Sequence, residues 1–169
     1  RIFPVSEGTT FSSLRLDHQI NSNNQLIVRG GFNPSRITGI QVESQNQSLG
    51  QNDFSRTGIQ EFHDWSGMAA LTSTLSQRLV NDARFNYGRR AAGFRSGVGD
   101  AVAVNISGAA FFGRELFSPV RRTETRYEIT DNLSWSRGHH TFKFGGDVSF
   151  IDVAATFELN FAGLFNFGG

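Results

Sequence analysis

The sequence predicts an all-β fold in which about six antiparallel strands are arranged as three hairpins. Two observations support this prediction: extended segments alternate apolar and polar side chains, and short turns alternate with long polar loops. Because successive side chains of a strand point to opposite faces, each segment has one apolar and one polar face. Alternating strands with short turns at one end and long loops at the other are typical of a transmembrane β-barrel wall.

The third hairpin, residues 121–150, has the clearest alternation. In its second strand, the apolar parity holds Phe142, Phe144, Gly146, Val148 and Phe150, and the polar parity holds Thr141, Lys143, Gly145, Asp147 and Ser149. In its first strand, Thr123, Thr125, Tyr127 and Ile129 alternate with Arg122, Glu124, Arg126 and Glu128. The mixed charges on one parity predict a wall that faces a polar lumen.

Two earlier hairpins repeat the pattern. The first pairs residues 9–19 with 26–33 across a turn at 20–24, and the second pairs 60–75 with 83–90 across a turn near 76–82. Their apolar parities hold Leu14, Leu16, His18, Leu26, Val28, Gly30, Phe32, His63, Trp65, Gly67, Ala69, Leu71, Leu75, Phe85 and Tyr87. We expect the apolar side chains among these to face lipid. Trp65, Tyr127 and Trp135 are interpreted as aromatic girdle residues at the membrane borders, with plain cross-strand packing as the alternative.

Two long polar segments, about residues 34–58 and 91–119, separate the hairpins and are predicted to be loops. Function concentrates in loops that a rigid scaffold holds, so these segments are the candidates for ligand contact. Residues 99–112 have the composition of a short helix interrupted by glycines. Residues 157–169 alternate more loosely, through Phe161, Phe165 and Phe167, and are predicted to begin a further strand.

Composition narrows the function classes. The 169 residues carry a net charge of only +1, which gives no electrostatic basis for nucleic-acid binding. The absence of cysteine excludes structural disulfides and thiolate metal sites. No apolar run approaches the roughly 20 residues that a spanning helix requires. The chain begins with Arg1 and shows no signal peptide, so we expect a piece of a longer protein or a processed product.

No residue pattern predicts catalysis. His139 and His140 are interpreted as a polar turn, because adjacent histidines point apart and no carboxylate cluster accompanies them. His18 and His63 are interpreted as packed or border residues. The glycines of residues 93–99 lack the lysine and the strand–loop–helix setting of a phosphate loop. We therefore predict a non-enzyme with no catalytic, cofactor-binding or metal-ligating residues and no cofactor.

A basic lumen patch is the remaining candidate site. Arg89, Arg90, Arg121, Arg122 and Lys143 would supply the positive charge. The acidic side chains of Glu115, Glu124, Glu128 and Asp147 favour mutual neutralisation instead. The prediction is a solvated wall of mixed charge.

The string from Asp131 to Asp147, Asp-Asn-Leu-Ser-Trp-Ser-Arg-Gly-His-His-Thr-Phe-Lys-Phe-Gly-Gly-Asp, resembles the barrel of TonB-dependent outer-membrane receptors. It is most similar to the Oar-like members, which carry a carboxypeptidase-regulatory-like domain. Three other segments are similar to the same family. They are Asn-Gln-Leu-Ile-Val-Arg-Gly at 24–30, Arg-Leu-Val-Asn-Asp-Ala-Arg-Phe-Asn-Tyr at 78–87 and Gly-Leu-Phe-Asn-Phe-Gly at 163–168.

The resemblance implies a barrel of about 22 strands, closed around an N-terminal plug and energised through TonB. Residues 1–169 show no plug, no TonB-contacting box and no terminal strand that ends in an aromatic residue. Membrane barrels start at about eight strands, so about six cannot close alone. The chain is therefore expected to be part of the barrel of a larger receptor. Its partners would be outer-membrane lipid, the remainder of the barrel and plug, and the TonB system.

Three functions follow as hypotheses. The first is uptake of an unidentified ligand by a TonB-dependent receptor in a Gram-negative outer membrane. The second is a structural or accessory subunit of an envelope or surface assembly, because strand edges invite pairing with other chains. The third is a soluble carbohydrate-binding β-sandwich, in which the apolar faces would meet in a core.

Overall fold

A computed structural model describes residues 4–40, 53–159 and 162–168. The described part contains ten strands and one 3-10 helix. They are β1 (Ser6–Thr9), β2 (Ser12–Asn21), β3 (Asn24–Ile40), the helix Phe54–Arg56, β4 (Gly58–Ser76), β5 (Leu79–Ser96), β6 (Ala103–Ile106), β7 (Ala110–Phe112), β8 (Val120–Arg137), β9 (His140–Phe157) and β10 (Leu164–Phe167). No helix in the described part is long and apolar enough to cross a membrane.

Seven strands form one antiparallel sheet, which we call the wall. Its order is β1-β3-β4-β5-β8-β9, and β2 also pairs with β3. Two-residue turns join β2 to β3, β4 to β5 and β8 to β9, all at one end of the wall. The last of these turns begins at Gly138, whose φ of 61° is the left-handed conformation that glycine adopts most readily. The longer connections lie at the opposite end, so the predicted alternation of short and long connections is confirmed.

The pairing register places the predicted apolar parities on one face of the wall. One row joins Leu16 to Val28, Val28 to Ala69, Ala69 to Phe85, Phe85 to Ile129 and Ile129 to Val148. This apolar face is open: Leu14 is 75% exposed, Phe144 58% and Phe150 63%. A sandwich would cover these side chains with a second layer, so the arrangement disagrees with the soluble alternative and agrees with an outward lipid face.

The wall strands are longer than the sequence predicts. β3, β4, β5, β8 and β9 have 17–19 residues, whereas about 9–11 suffice to cross a bilayer. The loops predicted at 34–58 and 91–119 therefore begin too early, because β3 continues to Ile40 and β5 to Ser96. Above the apolar band the pattern changes, because charged residues such as Arg36 and Glu61 lie on the band's own side while Phe62 and Phe94 lie on the opposite face. Residues 41–52 of the first loop lie outside the described residues.

Pro34 explains why the first edge strand is divided. β1 and β2 pair with β3 in one continuous register, with Thr9 opposite Ser35 and Ser12 opposite Phe32. The Thr10 amide donates to the Pro34 carbonyl at 3.0 Å, but proline has no amide hydrogen to return a bond. The ladder therefore breaks at Thr10 and Phe11.

The long connections fold into a second unit, which we call the loop cap: residues 53–57, 97–119 and 162–168. Its sheet has the order β10-β6-β7, with β10 parallel to β6 and β7 antiparallel to it. The helix predicted within 99–112 is wrong, since this segment contains β6 and β7. The further strand predicted in 157–169 is present as β10, but it joins the sheet of the cap and not the wall. Phe161 lies outside the described residues.

We expect Val148→Arg to destabilise the protein by about 2–3 kcal/mol, because an arginine on the lipid face must enter hydrocarbon. Ser149→Arg is the matched control. Ser149 is the next residue along β9, lies on the polar face and pairs with Glu128. Reversible urea unfolding of the full-length protein in phospholipid vesicles measures both variants. Equal losses for the two variants would contradict the face assignment.

We expect Gly145→Ala to destabilise the wall by about 1–3 kcal/mol through overpacking. A Cβ at Gly145 would clash with Asn132 Oδ1 and lie 2.9 Å from the Asp131 carbonyl oxygen. A Cβ at Gly146 would meet no atom within 4 Å, so Gly146→Ala is the control and should be nearly neutral. The same unfolding assay compares the two, and a tolerated Gly145→Ala would contradict the close β8–β9 packing.

Candidate functional site

Aromatic side chains border the apolar band on both sides. At the loop end, Phe32 stacks on Trp65 with ring centroids 4.0 Å apart, and the Tyr87 and Tyr127 rings lie 5.5 Å apart. At the turn end, the Trp135 and Phe142 rings lie 5.6 Å apart. Such rings favour the level of the lipid headgroups. The three predicted girdle residues, Trp65, Tyr127 and Trp135, thus occupy the two borders of the band.

The height of the band fits a bilayer. Phe142 and the polar Asp152 lie on one face of β9, ten residues apart, or about 33 Å along the strand. A strand tilt of about 40° converts this length into a height of about 25 Å, the height of the apolar band in outer-membrane barrels. On the turn side, exposed apolar side chains continue to Leu75 on β4 and to Trp135 and Phe142 on β8 and β9.

Asp131 places a carboxylate within this band. Its register position between Ala83 and Gly146 places it on the apolar face. Its carboxylate accepts a 2.9 Å hydrogen bond from the Asn81 side-chain amide. A polar group that faces hydrocarbon requires such a partner.

The opposite face carries alternating charges. Ion pairs join Arg15 to Asp17 at 2.8 Å, Arg84 to Asp82 at 3.6 Å, Arg90 to Asp64 at 3.2 Å and Arg122 to Glu124 at 3.0 Å. The Asn86 amide donates to Glu128 at 3.1 Å, and the Thr72 hydroxyl donates to Asp82 at 3.0 Å. Exposed pairs of this kind contribute little stability individually. Their combined effect is a hydrated face without a dominant sign of charge.

The predicted basic patch is divided between the two faces. Neighbouring residues of a strand point apart, so Arg90 and Arg122 lie on the polar face while Arg89 and Arg121 lie on the apolar side. Arg122 pairs with Glu124, one of the predicted acids, whereas Arg90 pairs with Asp64, which was not among them. The prediction that Glu115 takes part is wrong, because Glu115 is buried in the loop cap.

A shallow depression crosses the middle of the polar face. The register aligns Gly31, Ser66 and Gly88 in one row, and each has a small side chain or none. Arg29, Asn86 and Arg126 stand around the row and help to line a cavity of about 290 Å³. The sequence does not predict this depression, because the alignment of its residues depends on the pairing register.

The loop cap has a small core of its own. Ala103 and Phe111 are 1% exposed and Leu116 is 4% exposed, with Phe117 and Leu164 packed against them. The guanidinium of Arg56 lies over the Phe111 ring, 3.4 Å from its centroid. A cation stacked on an aromatic face is favourable, most of all away from water.

Backbone and side-chain contacts join the two predicted ligand-contacting segments. The Asp53 amide donates to the Phe111 carbonyl at 2.9 Å, and the Gly113 amide donates to the Ser55 hydroxyl at 2.9 Å. Both pairs connect residues 53–57 to the segment 97–119. The contacts surround a cavity of about 360 Å³, lined by Asp53, Ser55, Val98, Ala101, Ala110, Phe112 and Gly113.

The cap is also anchored to the wall on its polar side. Phe117 packs against Phe157 at the end of β9, with ring centroids 5.4 Å apart. Phe157 pairs with Val120, which shares the parity of Arg122 and Glu124. The cap therefore folds toward the polar face and away from the lipid face.

A buried acid and a buried base lie inside the cap. Glu115 is 1% exposed and Arg56 is 2% exposed. Burial raises the pKa of Glu115 above its usual value of 4.5, although the Phe117 amide and Arg56 oppose that shift. Burial likewise lowers the pKa of Arg56, and Glu115 opposes the shift. The Phe117 amide donates to the Glu115 carboxylate at 2.6 Å, so this side chain also fixes the turn that precedes Phe117.

The histidines and glycines singled out in the sequence lie apart from this cap core. His139 lies in the β8–β9 turn and His140 begins β9, with its ring 6.2 Å from the Phe142 ring. Among the residues that the structure describes, no three His, Cys, Asp or Glu side chains are grouped to hold a metal ion. The segment 93–99 is the end of β5 and the bend after it, not a loop that leads into a helix.

We expect Glu115→Gln to remove a pH dependence of cap stability. The folded pKa of Glu115 lies above its unfolded value of 4.5, so the folded cap binds its proton more tightly. Stability therefore falls as pH rises from 4.5 through the folded pKa. Hydrogen-exchange protection factors of residues 97–119, measured across that range, should fall in the wild type and stay level in the variant.

Asp100→Asn provides the control, since the Asp100 side chain is fully solvent-exposed. This variant should keep the wild-type dependence on pH. A wild-type cap whose protection is constant above pH 4.5, or rises, would contradict the assignment to Glu115.

Comparison with known proteins agrees with this geometry. The family model described as an outer membrane beta barrel domain matches residues 4–169. Searches of curated proteins and of solved structures found no match. The match covers nearly the whole chain, and the wall supplies the features that such a domain requires: antiparallel strands, an outward apolar band and a polar opposite face. The chain belongs to the outer membrane beta barrel domain family and resides in the outer membrane.

Proposed function

We propose that this chain forms part of the barrel wall of a TonB-dependent receptor that takes up a ligand across the outer membrane. The observation that carries the proposal is the charged face beneath a folded loop cap. The cap stands at the long-loop end, which faces the cell exterior in barrels of this kind, and its anchor at Phe157 lies on the polar side. A ligand captured there would next meet the hydrated wall.

The depression around Gly31, Ser66 and Gly88 supports a route along the inner wall. It lies midway between the cap and the short turns, and Arg29, Asn86 and Arg126 offer hydrogen-bond donors around it. Nearby charges are largely paired, so a ligand meets polar groups without a strong field of one sign. The proposal assigns binding and passage to these residues and no catalytic step.

The strand edges support the proposed partners. On its outer side β9 has no neighbour in the described part of the chain, and the same holds for β1 and β2. An unpaired edge within the bilayer leaves backbone groups unsatisfied, at several kcal/mol each. Further strands must therefore continue the wall. In the proposed receptor they belong to the remainder of the barrel, which surrounds a plug and reaches the TonB system through that plug.

One observation favours a second candidate, a structural or accessory subunit of an envelope assembly. β9 presents 18 exposed residues along its open edge. An edge of that length is a template for pairing with another chain. In that case the wall would be completed by a partner protein, and TonB would have no role.

TonB binding separates the two candidates. The full-length protein, purified in detergent, should bind the purified periplasmic domain of TonB from the same organism. Deleting the segment that contacts TonB should abolish binding and leave the β-sheet circular dichroism unchanged. Absence of binding by a folded full-length protein would contradict the receptor proposal and favour the structural subunit.

A further inference from the structure

Three arginines on the outward side of the wall have no acidic partner among the described residues. Arg89, Arg95 and Arg121 are exposed, and their register positions place them on the side that carries the apolar band. No ion pair within 4.0 Å is formed by these three in the described part of the chain. The contrast with the polar face is clear, because Arg84, Arg90, Arg122 and Arg126 each lie within 4.0 Å of a carboxylate there.

The three arginines surround a patch of small residues. Arg121 pairs with Gly93, and on β5 Arg95 lies two residues beyond that glycine toward the loops. Arg89 lies four residues from Gly93 in the other direction, about 13 Å along the strand. Ala91 and Gly93 occupy the same side between Arg89 and Arg95, so no large side chain fills the space. A Cβ at Gly93 would meet only the Val120 carbonyl oxygen, at 3.9 Å.

Nearby carboxylates do not neutralise this patch. Glu61 pairs with Gly93 across the strands, but its carboxylate is engaged by Arg36 at 3.5 Å. Asp152 shares the row of Arg89 but lies two strands away, at about 10 Å. His63, opposite Ala91, is exposed on the same side and adds no negative charge. The patch therefore keeps its positive charge.

The depth of the patch corresponds to the lipid headgroups. Arg89 pairs with Trp65, one of the residues at the loop-side border of the apolar band. Arg121 and Arg95 lie farther toward the loops, which face the cell exterior. Long arginine side chains at this level extend into the headgroup layer while the strand below them remains in hydrocarbon.

We propose that Arg89, Arg95 and Arg121 bind the phosphate groups of an anionic lipid in the outer leaflet, such as a phosphorylated glycolipid. Guanidinium groups bind phosphate through paired hydrogen bonds, and three groups around an open patch can reach one headgroup together. The arginine patch adjoins the apolar band. This favours a lipid over a free anion, because the acyl chains of the lipid would lie against the band below its headgroup. The inference rests on membership of the outer-membrane family and is independent of ligand uptake.

The double variant R89Q/R121Q tests the proposal, with R90Q/R122Q as its control. Arg89 and Arg90 are neighbours on β5, and Arg121 and Arg122 are neighbours on β8. The two double variants therefore remove the same amount of charge from opposite faces of the wall. Full-length protein in detergent is titrated with diphosphorylated lipid A and with its dephosphorylated form, and bound lipid is counted by native mass spectrometry. R89Q/R121Q should weaken binding of the phosphorylated lipid roughly 30-fold, as expected for two cations near an anionic lipid surface.

R90Q/R122Q should bind as the wild type does. If R89Q/R121Q does not fold, R89K/R121K keeps the charge without the paired donors and should lose only part of the affinity. Equal binding of both lipid forms by the wild type, or an equal loss in R90Q/R122Q, would overturn the proposal. Inorganic phosphate that displaces the lipid completely would indicate a free-anion site and overturn the assignment to lipid.

Discussion

The antiparallel register of the wall is the constraint on which the rest of the structure depends. Side chains alternate with a period of two, so a slip of one residue in any pair would move a whole strand's apolar set to the wrong face. In the observed register, Leu16, Val28, Phe85 and Val148 share one row and one face. The same register aligns Gly31, Ser66 and Gly88 on the opposite face. One set of backbone hydrogen bonds therefore creates both the lipid surface and the polar surface.

The loop cap follows a different principle from the wall. The wall exposes its large apolar side chains, whereas the cap buries Phe111 and Leu116 in a core of its own. A small core of this kind offers few apolar contacts, and the cap adds a cation over an aromatic ring and a hydrogen bond from the Phe117 amide to the Glu115 carboxylate. The wall is stable where hydrocarbon surrounds it, while the cap is built to be stable in water. Phe117 packs against Phe157 on the polar side of the wall, beyond the apolar band, so the cap is attached to the wall outside the hydrocarbon.

Local pattern predicted the wall well and the cap poorly. The alternation in residues 141–150 identifies a strand and its two faces because each residue contributes independently to a period of two. Strand ends such as Ile40 and Ser96 escape prediction, since above the membrane neither face needs to be apolar. The cap is not predicted for another reason. β6 and β10 are about 60 residues apart, so a short stretch of sequence does not reveal that they pair. Arg89 and Arg90 lie on opposite faces of the wall, as do Arg121 and Arg122. This follows from the alternation of neighbouring residues along a strand, so the sequence alone could have predicted it.

The gap opposite Pro34 gives the edge strand two parts of unequal stability. Ser6–Thr9 is held by four residue pairs above the gap, while Ser12–Asn21 continues along the band below it. When the upper part frays, only the bond from the Thr10 amide to the Pro34 carbonyl remains at the gap, where an unbroken ladder would have two. The proline thus separates a short outer segment, which can open in water, from the longer ladder of the membrane-embedded band.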